Sequence, residues 1–371
     1  MTTPPAIIRR APGKLFVLGE YAVVDPGTPA VLVAVDRYIT VTVTGSSGTG
    51  VRISSDLGPR DVLWQWRYGR LSPHGTDDEQ GARSGLAHVV SAIETVAQLL
   101  AERGLALPAF TVSVESGLHD NGTKYGLGSS GAVTVATVAA VAAFCGLAPS
   151  TEDRFRLAML ATAGIEPRAS GGDLAASTWG GWISYQAPDR AAVLDLVERC
   201  GVEEALRVPW PGFEVHRLPE PKDLSFEVGW TGNPASTASL VSDLHRRTWR
   251  GSASHRRFVA ATTDFVLAAV AALEQGDDQG LLDQIRRSRR ELARLDGEVG
   301  LGIFTTGLTA LCEAAEAVGG AAKPSGAGGG DCGIALLDAE ASQDIAHMQE
   351  QWAKAGVLPL PIRPALEGIE E

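Results

Sequence analysis

The spacing of apolar residues along the chain alternates between a period of two and a period near 3.6. Short apolar or alternating stretches predict β-strands at 30–35, 39–44, 110–114, 226–230, 334–337 and 358–362. Apolar residues at helical spacing predict α-helices at 86–100, 130–145, 237–249, 258–275, 281–295, 306–318 and 341–355. Strands and helices are therefore mixed along the whole chain, without a regular strand–helix–strand repeat.

Polar residues mark two candidate helix starts. Ser84 lies just before the apolar face at 86–100 and is a candidate N-cap. Ser150, followed by Glu152 and Asp153, predicts a further helix start, because acidic side chains are favoured at the positive end of the helix dipole.

A proline-rich segment at 208–221 is the candidate passage between two domains. No internal repeat or low-complexity tract suggests a different division. We therefore expect an α+β protein of two lobes, with an N-terminal domain at 1–205 and a C-terminal domain at 206–371.

The composition is that of a globular protein, which excludes a disordered or fibrous chain. Of 371 residues, 44% are hydrophobic and 20% are charged, and only glycine, at 43 residues, exceeds its usual share of about 7%. The formal net charge is −12. A chain this acidic repels nucleic-acid backbones. We therefore expect no nucleic-acid partner, and an anionic substrate has to be held by a few local cations.

The cysteines and the apolar runs favour a cytoplasmic protein that crosses no membrane. The four cysteines form no CxxC pair and have no spacing suited to zinc, which fits a reducing compartment. The first residues lack the apolar core of an export signal. The uncharged run at 125–151 is long enough to span a bilayer, but its small residues predict a buried helix. The oligomeric state cannot be predicted from this sequence.

A glycine loop at 126–131 is the strongest candidate for a binding site. Its sequence, GLGSSG, matches the dinucleotide fingerprint GxGxxG, but the strand that should run into the first glycine ends near Val114. A P-loop of the form GxxxxGK[ST] is absent from the sequence. Glycines let backbone N–H groups approach an anion, and the following helix directs its positive end to the same place. The loop is either an anion site with two serine hydroxyls or a tight turn before an alanine-rich helix.

A second glycine loop lies near the C-terminus, at 323–333. Its sequence, KPSGAGGGDCG, runs into the strand predicted at 334–337. It is either a flexible hairpin turn or, because five glycines with a lysine and a serine exceed what a turn needs, a further part of the anion site.

Three segments, in this order, resemble the motifs of the GHMP kinase superfamily, which includes galactokinase and the homoserine, mevalonate and phosphomevalonate kinases. They are APGKLFVLGEYAV at 11–23, GLGSSGA at 126–132 and the loop at 323–333. The resemblance spans nearly the whole chain. It implies an N-terminal lobe like ribosomal protein S5 domain 2, a ferredoxin-like C-terminal lobe and ATP in the cleft between them.

Finer features are similar to the bacterial phosphomevalonate kinase branch of that superfamily. They are Lys124-Tyr125 before the first loop, EPRASGGDLAAS at 166–177, and VGWTG at 228–232 followed by Ser236-Thr237. Mevalonate kinases usually carry a proline-rich lead where this chain has NGTKY at 121–125. The resemblance implies ATP-dependent phosphorylation of 5-phosphomevalonate. The alternatives are mevalonate kinase or another small-molecule kinase of the superfamily and, from a different class, a non-catalytic sensor of ATP and a metabolite.

The resemblance also implies a role for each motif residue. Lys14 and Asp173 become the catalytic pair, in which Lys14 stabilises charge on the transferred group and Asp173 orients the acceptor or takes its proton. ATP is expected to bind Lys124, Gly126, Leu127, Gly128, Ser129, Ser130 and Gly131, and Mg²⁺ to bind Ser130 and Glu166. The phosphorylated small-molecule acceptor is expected to contact Lys14, Glu20, Tyr21, Lys124, Arg168, Ser170, Ser236, Thr237, Gly328 and Gly329.

Some of these residues have a simpler structural interpretation. Asp173 also fits a helix cap before an alanine-rich run, and Lys14 a solvated lysine after a turn. Trp64, Trp66 and Tyr68 are candidates for core, lid or adenine contacts, and the sequence does not choose among these.

Overall fold

Two β-sheets organise the part of the chain that the computed structural model describes, residues 5–56, 61–74, 79–120, 122–233 and 249–370. The strands are β1 (Ile7–Leu18), β2 (Pro29–Gly45), β3 (Val51–Ser55), β4 (Val62–Arg67), β5 (Arg70–His74), β6 (Phe110–Ser116), β7 (His119–Asp120), β8 (Thr123–Lys124), β9 (Trp182–Gln186), β10 (Glu214–Leu218), β11 (Leu224–Trp230), β12 (Ala321–Pro324), β13 (Cys332–Asp338) and β14 (Leu358–Leu360). The helices are α1 (Glu79–Gly85), α2 (Ala87–Glu102), α3 (Ser129–Phe144), α4 (Thr151–Ala163), α5 (Gly172–Trp179), α6 (Arg190–Arg207), α7 (Ala253–Gln275), α8 (Asp278–Val299), α9 (Thr306–Ala317) and α10 (Ser342–Lys354).

The first lobe is built on a sheet of eight strands. Their order is β10-β9-β2-β6-β3-β4-β5, and β1 pairs with β2 outside this path. Helices α3 and α5 pack on β1 and β2, with α2 and α4 beside them. The small β7–β8 hairpin leads from this sheet to the first glycine loop.

The two strands predicted at 30–35 and 39–44 are one continuous strand, β2. The sequence between them suggested a break because Asp36 and Arg37 are polar. In the structure β1 skips this pair, since Pro12 is opposite Tyr38 while Gly13 is opposite Val35. A bulge thus absorbs the polar residues and the strand continues.

Helix α3 is buried along nearly its whole length, as the alanine-rich run predicted. All residues from Gly131 to Ala142 are buried. Small side chains on every face let α3 contact β1, β2, α2, α4 and α5 at once. The core of the first lobe therefore holds the helix that follows the first glycine loop in place.

The two predicted helix starts have different outcomes. The start at Ser150 is confirmed, because Ser150 and Asp153 form a reciprocal capping box at the start of α4. The cap at Ser84 is wrong. Ser84 lies inside the short helix α1, which bends by 76° into α2, and the residue before α2 is Leu86, without a side-chain cap.

The second lobe is an antiparallel sheet of order β12-β13-β11-β14 packed against helices. Its predicted strands are present as β11, β13 and β14, and helices α7 to α10 lie where the apolar spacing placed them. The helix predicted at 237–249 lies outside the described residues, apart from Trp249. Helix α7 is long and apolar enough to cross a membrane by length and composition alone, yet it packs along α8 and against β2.

The chain crosses between the lobes more than once. Strand β10 pairs with β9 and therefore belongs to the first sheet. The last residue of this sheet along the chain is Leu218. After β14 the tail returns to the first lobe, where Ala365 N–H donates to the Ala34 carbonyl and Glu370 N–H to the Arg10 carbonyl. The division at 205/206 stays a prediction.

Candidate active site

The first glycine loop ends in a helix start that no side chain caps. Gly128 precedes α3 in the left-handed conformation, with φ 77°, which glycine adopts without strain. Because glycine has no side chain, the first N–H groups of α3 receive no side-chain cap. These N–H groups and the positive end of the helix dipole make the start of α3 a candidate anion site.

Lys14 and Asp173 meet at Gly128. A β-carbon added to Gly128 would lie 2.9 Å from Lys14 Cε and 3.4 Å from Asp173 Cβ. Lys14 is also tied to the loop by its backbone, since its N–H donates to the Leu127 carbonyl at 2.8 Å. Its ammonium lies 5.3 Å from the ring centre of Phe16. The structure thus places the two residues predicted as a catalytic pair at the anion site.

Asp173 lies in the first turn of α5 and faces the start of α3. Its Oδ2 is 3.5 Å from Ser130 Oγ, and its Oδ1 accepts the N–H of Leu174. A β-carbon on Gly131 would lie 2.6 Å from Asp173 Oδ2. The residue before α5 is Gly171, so Asp173 is not the N-cap itself, although its carboxylate accepts one of the first N–H groups of α5.

The second glycine loop joins the lobes at the strand that carries Lys14. Ser325 hydrogen-bonds to the backbone of Phe16, and the Tyr21 hydroxyl donates to the Ala327 carbonyl at 2.5 Å. Glu20 forms an ion pair with Lys323 in which the side chains are 2% and 0% exposed. Burial lowers the pKa of Lys323, and Glu20 acts against this shift. Glu20 was predicted as a substrate contact, but its carboxylate lies in this buried pair.

The middle of the second loop packs on the segment that precedes α9. Gly328 packs against Ile303, and Gly329 N–H donates to the Ile303 carbonyl at 2.9 Å. The end of the loop returns to the first lobe, where Asp331 lies against Gly126. The predicted substrate contacts of Gly328 and Gly329 stay predictions.

The remaining predicted polar residues differ in exposure. Lys124, Ser130, Glu166 and Arg168 are exposed, and Ser129 is half-buried. The Ser170 carbonyl accepts the Tyr185 hydroxyl at 2.5 Å, three residues before Asp173. Ser236 and Thr237 lie outside the described residues.

His88, which the motifs did not indicate, lies beside the first turn of α3. Its Nδ1 lies 3.4 Å from Thr134 Oγ1, and that hydroxyl donates to the Ser130 carbonyl at 2.8 Å. Because the single hydroxyl proton of Thr134 is used there, His88 Nδ1 is the donor. Burial lowers the pKa of His88, while Asp173 and Glu166 raise it and Lys124 lowers it further. His88 therefore lies among the predicted site residues. Only its place near the start of α2 could have suggested it.

The three aromatic residues predicted as core, lid or adenine contacts have different environments. Trp64 is buried in the core, Trp66 is 38% exposed and Tyr68 is fully exposed in the β4–β5 turn. Trp64 lines a cavity of about 230 Å³ together with Ala87 and Ile165. Ala87 and Ile165 precede His88 and Glu166 in the chain, but none of the residues predicted to bind ATP, Mg²⁺ or the acceptor lines the cavity.

The described residues include no group of three or more side chains that would hold a metal ion by themselves. Mg²⁺ needs only one or two protein oxygens when substrate phosphates supply others. Ser130 Oγ and Asp173 Oδ2, 3.5 Å apart at the anion site, offer such oxygens. The donor set fits a magnesium ion shared with a bound phosphate.

Comparisons with known proteins find relatives over nearly the whole chain. Residues 87–181 match the family model for the GHMP kinases N terminal domain, and residues 269–354 match that for the GHMP kinases C terminal domain. The chain is 73% identical to a phosphomevalonate kinase of a Streptomyces species over 98% of both chains. It is 26% identical to a mevalonate kinase of Thermococcus sibiricus over 98% of this chain and 97% of that one.

A solved structure shows the same architecture. Phosphomevalonate kinase from Streptococcus pneumoniae, in complex with phosphomevalonate and AMPPNP, matches with a TM-score of 0.83 and 28% identity. The match covers 97% of this chain and 100% of that one. The expected two-lobed α+β fold is confirmed.

Proposed function

Because this chain belongs to the GHMP kinase family, we propose that it transfers the γ-phosphoryl group of ATP to the phosphate of 5-phosphomevalonate, forming 5-diphosphomevalonate. The observation that carries the proposal is the meeting of Lys14 and Asp173 at Gly128, at the uncapped start of α3. Phosphoryl transfer needs positioning and charge neutralisation more than covalent chemistry. This arrangement supplies both.

The ATP phosphates bind at the start of α3, where N–H groups and Ser130 are directed at them. Lys14 stabilises the negative charge that spreads over the transferred group.

Asp173 orients the acceptor rather than removing a proton from it. The second pKa of a phosphate monoester is about 6, so the acceptor phosphate of phosphomevalonate is largely deprotonated at neutral pH. An alcohol acceptor such as mevalonate would gain more from a general base. A carboxylate 3.5 Å from Ser130 Oγ also suits a shared contact with Mg²⁺.

Ser130 and Asp173 would hold Mg²⁺, with Glu166 as a further oxygen donor from the rim. When bound, the ion would neutralise negative charge on the ATP phosphates. We also propose the cytoplasm as the compartment, since all four cysteines are unpaired.

The acceptor phosphate is held by the exposed cations Lys124 and Arg168. A chain with a net charge of −12 does not attract a phosphate through its overall field. Lys124 lies near enough to His88 to lower its pKa, which supports a place for Lys124 at the anion site.

Two rival functions are less well supported. Mevalonate kinase activity would agree with the fold, but the identity is 73% to a phosphomevalonate kinase against 26% to a mevalonate kinase. A non-catalytic sensor would need neither Lys14 nor Asp173, and the chain has both at the loop.

A coupled ADP-release assay tests the proposal. The acceptors are phosphomevalonate, mevalonate, diphosphomevalonate, homoserine and galactose, and Lys14→Met serves as the inactive control. We expect turnover with phosphomevalonate and little with mevalonate. Equal kcat/KM for these two acceptors would leave only the broader kinase function, and no ADP release with any acceptor would favour the sensor.

A further inference from the structure

The tip of the β4–β5 hairpin holds a tyrosine in a backbone conformation that suits other residues better. Arg67 is opposite Arg70, so Tyr68 and Gly69 alone form the turn. Their φ angles are 52° and 76°, and a two-residue turn with both φ angles positive favours Asn-Gly. For a bulky aromatic residue this conformation is strained. Tyr68 is nevertheless fully exposed, so burial does not offset the strain.

The residues beside Tyr68 are types that protein–protein interfaces favour. Trp66 is 38% exposed, and Arg67 and Arg70 are exposed as well. Tryptophan, tyrosine and arginine are enriched at the centres of interfaces, where a few side chains carry most of the binding energy. A hairpin tip of this composition is typical of a contact with another protein surface.

A cavity of about 660 Å³, the α2–α6 cavity, opens beside the hairpin tip. Its wall is formed by the hairpin, by α2 and the loop after it, by the end of α4 and by α6. Apolar side chains make up much of this wall, and they include Leu105, Leu107, Leu194 and Val197. The volume is enough to admit an aromatic side chain.

Polar side chains on the wall of the α2–α6 cavity already have partners within the chain. Glu94 pairs with Arg70 at 2.8 Å and also accepts the Leu71 N–H. The Ser91 hydroxyl donates to the Ala161 carbonyl at 2.7 Å. The cavity therefore offers apolar surface more than free hydrogen-bonding groups, and a tyrosine ring suits it because its hydroxyl can stay at the wet rim.

The hairpin tip and the α2–α6 cavity lie side by side on one face of the first lobe. Trp66 and Gly69 are part of the cavity wall, whereas Tyr68 between them is fully exposed and does not fill the cavity of its own chain. When two copies of such a face meet across a twofold axis, the tip of each copy lies opposite the cavity of the other.

The charges beside the tip and the cavity are complementary. Arg67 is at the tip, and Glu198 lies on the same face of α6 as the wall residue Leu194, one turn further along. Both are exposed, and within the described ranges neither forms an ion pair. In the twofold arrangement an unpaired cation at the tip of one copy meets an unpaired carboxylate at the rim of the other.

We infer that the chain forms a twofold dimer in which the Tyr68 side chain of each copy occupies the α2–α6 cavity of the other. The inference does not depend on the proposed function. Burial of the Tyr68 ring in the dimer compensates for the strained turn, which a monomer leaves uncompensated. The face is small, so the dimer should exchange with the monomer at micromolar concentrations.

Sedimentation velocity over a series of protein concentrations tests the dimer. Wild type should pass from the mass of one chain to that of two, with a dissociation constant of about 1–100 µM. Tyr68→Asn should raise this constant by about 30-fold or more, the effect of losing a buried aromatic anchor. The same variant should keep or raise the thermal midpoint of the dilute chain, because Asn-Gly suits the turn. The control is Leu267→Gln, which removes an apolar side chain that is 53% exposed on α7 and should leave the dissociation constant unchanged.

Charge reversal tests whether the tip of one copy meets the rim of the other. Arg67→Glu and Glu198→Arg should each weaken the dimer by about 10-fold or more, because each variant alone places like charges opposite one another. An equimolar mixture of the two variants should dimerise again, since opposite charges then meet at both contacts. A contact within one chain would not be restored by mixing.

Four results would overturn the inference. One is a wild type that remains monomeric at every concentration, as it would if Tyr68 turned into the cavity of its own chain. Another is a dimer that Tyr68→Asn leaves intact or that Leu267→Gln dissociates, which would place the interface on a different face. The others are single charge reversals without effect and a mixture of the two variants that stays monomeric. Recovery of the dimer in the mixture, with loss in each variant alone, supports the arrangement even if Tyr68→Asn does not fold.

Discussion

The hydroxyl of Ser325 pairs with both backbone groups of Phe16. It accepts the Phe16 N–H at 2.8 Å and donates to the Phe16 carbonyl at 2.9 Å, across 309 residues of chain. Phe16 lies two residues after Lys14 on β1. One side chain of the second glycine loop thus fixes the strand that brings Lys14 to Gly128.

Replacing Ser325 by alanine leaves two buried backbone groups without a partner. Each such group costs about 1–3 kcal/mol, so Ser325→Ala should lower the free energy of unfolding by about 2–4 kcal/mol. Ser46→Ala is the control, because the Ser46 hydroxyl accepts the N–H of Gly48 in an exposed turn. Urea denaturation measures both. A loss for Ser325→Ala no greater than that for Ser46→Ala would contradict this assignment.

Gly128→Ala should abolish activity because the added methyl group collides with Lys14, and not because of backbone strain. The added carbon would lie 2.9 Å from Lys14 Cε at a φ of 77°. Gly146 has nearly the same φ, 76°, but open space around its Cα. Gly146→Ala should therefore cost about 1 kcal/mol of stability and leave ATP binding unchanged. Calorimetry that finds equal ATP affinity for folded Gly128→Ala and Gly146→Ala would show that the approach of Lys14 is irrelevant.

Ser130→Ala should impair use of the metal-bound nucleotide far more than folding. The hydroxyl is exposed and lies 3.5 Å from Asp173 Oδ2, so its removal should change stability by no more than about 1 kcal/mol. We expect a lower kcat and a higher Mg²⁺ concentration for half-maximal rate. Activity near that of wild type at saturating Mg²⁺ and ATP would show that Ser130 is not a metal ligand.

The features that were predicted correctly from the sequence involve residues that lie close together along the chain. The capping box of Ser150 and Asp153 is local, because both partners lie within one turn. The burial of α3 is readable in the same way, since its alanine and valine residues carry no charge. Gly128, at the entry to α3, could likewise be recognised from its own loop.

The features that could not be predicted from the sequence arise from contacts between segments that are far apart along the chain. Glu20 and Lys323 are separated by 303 residues, so nothing local pairs a carboxylate in the first motif with a lysine in the third. His88 lies in no motif, and its place beside the start of α3 follows from Thr134, which the fold brings to it. The bulge at Asp36 was missed because it depends on the register of β1.

His88 should make the fold more sensitive to acid. Its pKa is lowered by burial, so in a window below the ordinary value of about 6.5 the unfolded chain binds a proton that the folded chain does not. Stability then rises with pH in this window and is lost as the pH falls. Asp173 and Glu166 oppose the shift and Lys124 adds to it. Urea denaturation from pH 7.5 to 5 should show a shallower loss for His88→Gln, and parallel curves would reject the assignment.

Glu20 and Lys323 should depend strongly on each other, but the pair as a whole should contribute little to the free energy of unfolding. Lys323→Met leaves the Glu20 carboxylate buried without its cation. The loss is severe because the other carboxylate oxygen of Glu20, Oε2, already has no hydrogen-bond partner. Breaking such a pair costs about 3–5 kcal/mol, whereas replacing both charges is often nearly neutral. We therefore expect Lys323→Met alone to destabilise severely and the double variant Glu20→Gln/Lys323→Met to recover most of that loss. Urea denaturation of both single variants and the double variant gives the coupling energy. Additive losses would mean that the two charges do not depend on each other.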